Sequence, residues 1–233
     1  MMRTLKIYLS VVCTLLLLSG CQEDADPILP HTEFILPDAE GLTKITQIID
    51  TTYNTAGPLV EKYFKQEIQR GTEKDLTGRD IRLIDVYRSE DIYGTDFQWE
   101  LNRVWSQYIE ERSDSYYFAE RTEENKRIQI LKFPVYPGIQ WDGNRYNSDQ
   151  SQIYTYTHLD TMVTVQGHIY DHCVVVLREE TRTSISDILD YEIYAPNVGL
   201  IKKYNRTKIF NGSNFEFNPD LSRVYVEEIV VHD

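Results

Sequence analysis

Positive charge is in short supply in this 233-residue chain: 24 Lys and Arg stand against 37 Asp and Glu, a net charge of −13 at pH 7. Proteins that grip DNA or RNA neutralise phosphates with clustered Lys and Arg, and no basic stripe is present, so no nucleic-acid partner is expected. Long apolar runs are scarce as well. The longest, Ile7 to Leu18, has 12 residues, well short of the roughly 20 that a membrane-crossing helix needs. Cysteine is limited to Cys13, Cys21 and Cys173. The P-loop, the G-x-G-x-x-G fingerprint and the G-x-S-x-G elbow are all missing, and with them the usual signs of nucleotide binding and acyl transfer. Tyr is abundant, with 17 residues in a chain that is 41% hydrophobic. That is too apolar for a disordered chain and too polar for a multi-span membrane protein. The length suits one globular domain or two small ones.

Residues 1–20 have the layout of a secretory signal peptide: Arg3 and Lys6, an apolar core, then small residues before Cys21. The junction Leu18-Ser19-Gly20-Cys21 resembles the bacterial lipobox, which implies cleavage before Cys21 and a diacylglycerol on its thiol, with a palmitate-type acyl load. An ordinary cleavage site beside an incidental cysteine is the alternative. Each buried CH₂ contributes about 0.8 kcal/mol, so two or three acyl chains make such an anchor effectively permanent. Gln22 and the acidic run Glu23-Asp24-Ala25-Asp26 resemble the surface-export signal of Bacteroidota lipoproteins; a run that merely keeps a linker solvated is the other reading. Residues 21–33, with Pro27 and Pro30, are expected to form a flexible acidic tether behind the acylated cysteine, and residues 34–233 a β-rich globular domain.

With Cys13 removed and Cys21 acylated, Cys173 stands alone and no intramolecular disulfide can form. It lies in the apolar run Cys173-Val174-Val175-Val176-Leu177 and reads as a core thiol, not a nucleophile. Runs of Val, Ile, Thr, Tyr and Phe bounded by turn residues recur along the chain, beginning with Thr43–Thr52 and Leu59–Ile68 around Asn54-Thr55-Ala56-Gly57-Pro58. Further candidates are Asp80–Tyr87, Phe97–Glu110, Ser115–Ala119, Arg127–Phe133, Gln152–Thr157, Met162–Val165, Asp171–Arg178, Leu189–Tyr194, Leu200–Tyr204 and Arg223–Val231. Connections this short cannot make parallel crossovers. The expected fold is therefore all-β: a single antiparallel, strongly curled sheet or open half barrel, with room for one short helix. That helix would fall at Phe97–Glu111, where Trp99, Arg103, Val104 and Tyr108 could share a face, although the segment reads better as strand.

Three stretches carry a further resemblance: Phe133-Pro134 with Gly138 and Trp141; Gly167, Tyr170, Cys173 and Val175; and Tyr194-Ala195 with Val198-Gly199-Leu200 and Lys202. This FP…G…W, G…Y…C.V and YA…VGL…K pattern resembles uncharacterised Bacteroidota surface or periplasmic lipoproteins. The resemblance implies a β-rich extracytoplasmic domain, and an open sheet by analogy with lipoprotein carriers; it implies no catalytic residues.

Residue by residue, little chemistry emerges. His168 and His172 would be about 13 Å apart on a strand, too far for one ion. Asp142, Asn144, Asn147 and Asp149 offer oxygen ligands in one loop, but their spacing departs from a calcium-binding loop and a solvated turn is the better reading. The pairs Glu110-Glu111, Glu123-Glu124 and Glu179-Glu180 would point to opposite faces of strands and suit no glycosidase. Trp141 is expected to pack over the sheet end. No catalytic residue, metal or cofactor is expected, ligand-binding residues are undefined, and Cys21 is the one assigned site.

The expected function is a non-enzymatic lipoprotein of the outer membrane, on its surface or periplasmic face, that binds a hydrophobic or glycan ligand or a partner protein. Extracellular glycan hydrolysis and scaffolding of an envelope complex are the alternatives. Cys21→Ser is expected to abolish palmitate labelling and release the protein from the membrane fraction; label persisting on the variant would refute the lipobox assignment.

Overall fold

The period of two in segments such as Ile153-Tyr154-Thr155-Tyr156 puts alternate side chains on opposite faces. In the computed structural model, which describes residue 34 and residues 40–91, 93–111, 117–123, 126–212 and 215–232, that alternation builds twelve strands. They are β1 (Thr43–Asn54), β2 (Gly57–Lys74), β3 (Asp80–Ser89), β4 (Glu100–Glu111), β5 (Tyr117–Glu123), β6 (Lys126–Phe133), β7 (Gln140–Asp142), β8 (Ile153–Val165), β9 (His168–Arg182), β10 (Ser186–Ala195), β11 (Gly199–Phe210) and β12 (Phe217–His232). The signal segment, Cys21 and the tether lie outside the described residues.

Every strand pairs antiparallel with its chain neighbour except β6 with β7, and β1 closes on β12. The result is one curled, nearly closed sheet, a barrel-like meander with a single unsealed seam between β6 and β7. The first hairpin turns through Thr55-Ala56, with the Ala56 N–H donating to Asn54 Oδ1 at 2.8 Å. Gly138 (φ 78°) and Asn197 (φ 59°) take positive angles in their turns.

The sheet is that of an open barrel carried most of the way to closure, and no α-helix occurs among the described residues. Phe97–Glu110 resolves into strand from Glu100 onward. Phe97 and Trp99 precede it, stack at 4.8 Å, and bring Phe97 edge-on to Phe64 at 5.0 Å. Gln152–Thr157 and Met162–Val165 are one strand and not two. The polar residues between them, which read as a loop, are carried as register breaks with Asp160 at φ 54°. The three-residue β7 is too short to announce itself in sequence.

The seam is stitched by three side chains and one backbone bond. Trp141 Nε1 donates to Gln129 O at 2.9 Å, and Gln129 N donates to Gly143 O at 2.9 Å. Tyr156 Oη donates to Lys132 O at 2.7 Å, and Asn147 Nδ2 donates to Arg127 O at 3.0 Å. These contacts occupy backbone groups of Arg127, Gln129 and Lys132 on the free side of β6, which would otherwise be an edge open to pairing with another chain.

An apolar cluster fills the seam side of the interior: Phe34, Leu131, Phe133, Trp141, Tyr154, Tyr156, Val174, Val176 and Tyr194 are all buried. Trp141 is thus a core residue, as expected, packed on Tyr156 at 4.9 Å. On the other face of β9 and β10, Cys173 packs with Val165, Ile193 and Ala195. It is a buried free thiol, and burial pushes its pKa up to about 11, the opposite of an activated nucleophile.

Gly143 is needed for a reason other than its turn. A Cβ there would lie 2.2 Å from Cε2 and Cζ of Tyr154. Gly143→Ala must displace a buried ring, and overpacking of this kind costs about 1–3 kcal/mol. A urea-unfolding midpoint unchanged from wild type would refute that packing.

Candidate functional site

The same alternation that turns apolar side chains inward at the seam turns charged ones inward elsewhere. On β2 the inner face carries Lys65, Glu67 and Gln69, and on β10 it carries Asp190 and Glu192; all are buried. Cross-strand register brings these rows together. Glu192 lies opposite Lys203 of β11, Lys203 opposite Glu227 of β12, and Glu227 opposite Ile48 of β1.

Two linked ionic clusters result. In the first, Glu67 receives Lys44 at 3.0 Å and Lys65 at 2.7 Å. Lys65 also pairs with Glu227, whose Oε2 accepts from the Tyr225 hydroxyl at 2.9 Å. In the second, Glu192 takes Arg178 at 2.6 Å, Lys203 at 3.0 Å and the Tyr194 hydroxyl at 2.6 Å. Arg178 donates in turn to Tyr154 Oη at 2.6 Å and lies 3.9 Å from Asp190.

Between the clusters lies a cavity of about 190 Å³, walled by every strand except β7 and β8. Lys65, Arg121, Arg178, Lys203, Glu192 and Glu227 face it, beside Trp105, Ile130 and Leu200. Trp105 meets two cations, with Lys65 Nζ at 4.9 Å and Arg121 Cζ at 5.1 Å from its ring centroid.

Burial raises the carboxyl pKa of Glu67 and Glu192, but the cations outweigh it: Lys44, Lys65 and Arg121 at Glu67, and Arg178 and Lys203 at Glu192. Both are held well below the ordinary glutamate range. Glu227 is lowered as well, with Lys65 overcoming its burial. For Asp190 burial wins over Arg178 and the pKa rises. Lys44 is lowered, because burial outweighs its pairing with Glu67.

The residues singled out by sequence go elsewhere. Asp142 Oδ1 accepts from Asn144 N and Gln152 N, both at 3.0 Å, and Asp149 pairs with Lys126 at 2.9 Å, so the loop spends its oxygens on its own closure. His168 and His172 are on strand β9, and His172 meets the Asp160 carboxylate. No group of three or more His, Cys, Asp or Glu fit for a metal occurs among the described residues. The side chains of Glu110, Glu111 and Glu123, and the whole of Glu124, lie outside the described set. A lipid carrier needs a continuous apolar concave face, whereas this lumen mixes charged and apolar side chains. An apolar groove of about 420 Å³ does lie along β8, β9 and β10, lined by Val163, Val175, Leu177, Leu189, Tyr191 and Ile193.

No family model matches the chain, and curated proteins yield no match. Among solved structures, one of a candidate lipoprotein from Parabacteroides distasonis is similar over 88% of this chain and 100% of that chain, at 11% identity and a TM-score of 0.42. The likeness is too distant to carry residue roles or an activity to this chain.

Removing one partner of a buried pair costs about 3–5 kcal/mol. Glu192→Gln strands Arg178, which cannot shed its proton, and is expected at the top of that range. Glu67→Gln leaves Lys44, already pushed toward neutrality, and is expected at the bottom; urea unfolding at pH 7 ranks the two. The folded pKa values of Glu67, Glu192 and Glu227 lie below the ordinary 4.5. Their contribution is complete above pH 4.5 and is lost as pH falls below it. Asp190, raised from 3.8, works the other way, as one group against three. Wild-type stability should therefore drop below pH 4.5, and less steeply in Glu192→Gln; parallel profiles would contradict this.

Proposed function

We propose that the protein is a membrane-anchored extracytoplasmic lipoprotein, held at the outer membrane through Cys21, whose barrel lumen binds a small polar ligand without transforming it. The lipobox-like junction supports the anchor. The observation that carries the binding role is the cavity of about 190 Å³ between two charged clusters, with polar and aromatic side chains converging on it. Its size, a little above the ~150 Å³ that holds a benzene ring, limits the ligand to about one ring.

Glycan hydrolysis is the second reading, favoured by one observation: Glu192 and Glu227 line the same cavity. Hydrolysis needs one carboxyl with a raised pKa to act as general acid. Both of these are held ionised, and Asp190, the raised one, is not among the lining residues. A binding role suits the charges better.

Native against denaturing mass spectrometry of the full chain tests the binding role. A small polar mass released on unfolding, and absent from a cavity-filling Val86→Phe variant, is expected. A bound mass indifferent to that substitution would place the ligand elsewhere, and release of an acylated lipid would favour the groove along β8 to β10. Turnover of a chromogenic glycoside that stops in Glu192→Gln would establish the hydrolase reading instead.

A further inference from the structure

The lumen is closed at one end and open at the other. Along the inner face of β2 the side chains pass from 55% exposed at Glu61 to 10% at Lys65 and 1% at Glu67. Along β12 they pass from 52% at Arg223 to 5% at Glu227. Glu61 and Arg223 lie toward the turn between β1 and β2, and with Arg88 and Asp50, their ion-pair partners, they edge a mouth at that end. The opposite end is stopped by Lys44, Glu67, Gln69 and Gln107, all buried. The chain enters the sheet at this closed end, where Gly41 N donates to Gln69 O at 2.8 Å.

Every charged side chain on the cavity wall already has a partner. Lys65 is held by Glu67 and Glu227, Arg88 by Glu61 and Glu90, and Arg178 and Lys203 by Glu192. Arg103 donates to Asn102 Oδ1 at 3.2 Å and Arg121 to Gln107 Oε1 at 3.5 Å, and both make further contacts. A ligand with net charge would have to break one of these pairs or be buried without a counter-charge, and both are costly.

What the pairs leave over is hydrogen-bonding capacity. Lys203 carries three N–H donors and spends one on Glu192, at 3.0 Å. Tyr63 lines the cavity with Arg88 stacked 3.7 Å from its ring centroid, and its hydroxyl has no hydrogen-bond partner among the described residues and is not buried. The two stand at one level of the barrel, since Tyr63 faces Ile48, Ile48 faces Glu227, and Glu227 faces Lys203. Ile48, Val86, Ile130 and Leu200 supply apolar wall beside them. A hydroxyl group donates and accepts without carrying charge. A ring bearing several hydroxyls can therefore accept from Lys203, exchange a hydrogen bond with Tyr63 and lay its C–H faces on the apolar wall, with every ion pair left intact.

We infer that the lumen takes an uncharged, hydroxyl-rich ring of hexose size, free or at the end of a longer glycan, which enters by the mouth at Glu61 and Arg223 and hydrogen-bonds to Tyr63 and Lys203. The inference rests on the reading of the barrel as a binding module and names the ligand class that it selects.

Isothermal titration calorimetry of the full chain tests it, with glucose, galactose and maltose as neutral probes and glucosamine and galacturonate as cationic and anionic counterparts. Saturable 1:1 binding of at least one neutral sugar is expected, with the charged sugars at least tenfold weaker, or about 1.4 kcal/mol. Maltose binding at least as tightly as glucose identifies a glycan end; binding of monosaccharides alone identifies a free sugar. Tyr63→Phe keeps the ring under Arg88 and deletes only the hydroxyl, and should weaken the bound sugar about fivefold. Lys203→Met should do the same, and if it fails to fold, Tyr63→Phe decides alone: wild-type affinity in that variant would overturn the assignment. In stopped-flow association followed by tryptophan fluorescence, Thr52→Trp, beside Leu59 and Arg223 in the mouth, should slow entry, while Leu76→Trp at the closed end should not; equal rates would overturn the entry route. Charged sugars binding as tightly as neutral ones would overturn the uncharged class and leave the binding module standing. No heat from any sugar, with a small polar mass still released in native mass spectrometry, would do the same; neither heat nor released mass would overturn both.

Discussion

The antiparallel ladder between β1 and β12 is the constraint on which the rest depends. Its partners are separated by almost the whole described chain, Lys44 facing His232 and Thr52 facing Arg223, whereas every other ladder joins strands consecutive in sequence. Closing the sheet there forces the remaining gap to mid-chain, between β6 and β7, where Trp141, Tyr156 and Asn147 bridge it. It also fixes the order of side chains around the inside. Tyr63, Ile48, Glu227, Lys203, Glu192 and Val176 follow one another across six strands at one level of the barrel. A one-residue slip of β12 against β1 would turn Glu227 outward and leave Lys65 with Glu67 alone, so the ionic clusters and the closure specify each other.

The interior is divided. Near the seam it is a conventional core of aromatic and aliphatic side chains, and away from it charged groups hold one another. The two halves meet at Tyr154 and Tyr194, whose rings belong to the apolar cluster and whose hydroxyls serve Arg178 and Glu192. Burial pushes the Tyr154 pKa up to about 12, so it remains a neutral hydroxyl at any physiological pH. Buried ion pairs of this kind seldom add net stability compared with a well-packed apolar core. Their presence on one side of the lumen is better explained by what they hold open than by what they hold together.

Much of the fold was legible in the sequence because strand formation is local. Val, Ile, Thr and Tyr at period two, punctuated by Gly and Asn, gave the strands, and Cys173 and Trp141 were identifiable as core from their neighbours. Strand merger at β8 was hidden by polar His158 and Asp160, which bulges accommodate. The site was not legible. Lys65, Glu67 and Gln69 alternate with Phe64, Gln66 and Ile68 in the pattern of an amphipathic strand with its polar face in water. Nothing local distinguishes a polar face turned to solvent from one turned into a lumen; only the curl of the sheet and its closure through β12 decide. Gly143 shows the same limit, since its turn-like setting gives no sign of the Tyr154 ring packed on it.

A closed sheet with a charged lumen is also the plan of a membrane channel, and the outer face argues against that use here. A lipid-facing wall needs an apolar band about 25 Å tall, and a cation at its midplane costs about 2–4 kcal/mol. Lys202 and Glu228 point outward from the central strands β11 and β12 and pair at 2.7 Å, with Gln166 donating to the same carboxylate at 2.7 Å. Arg70 and Asp85 pair on the outer side of β2 and β3. The apolar residues on that side are partly withdrawn: Cys173, Ile193 and Ala195 are buried, and Phe64 is covered by Phe97. Ion pairs on the outer side of the wall suit water better than lipid. Such a domain would need a tether, not a span, to stay at a membrane, and Leu18-Ser19-Gly20-Cys21 is the kind of sequence that supplies one.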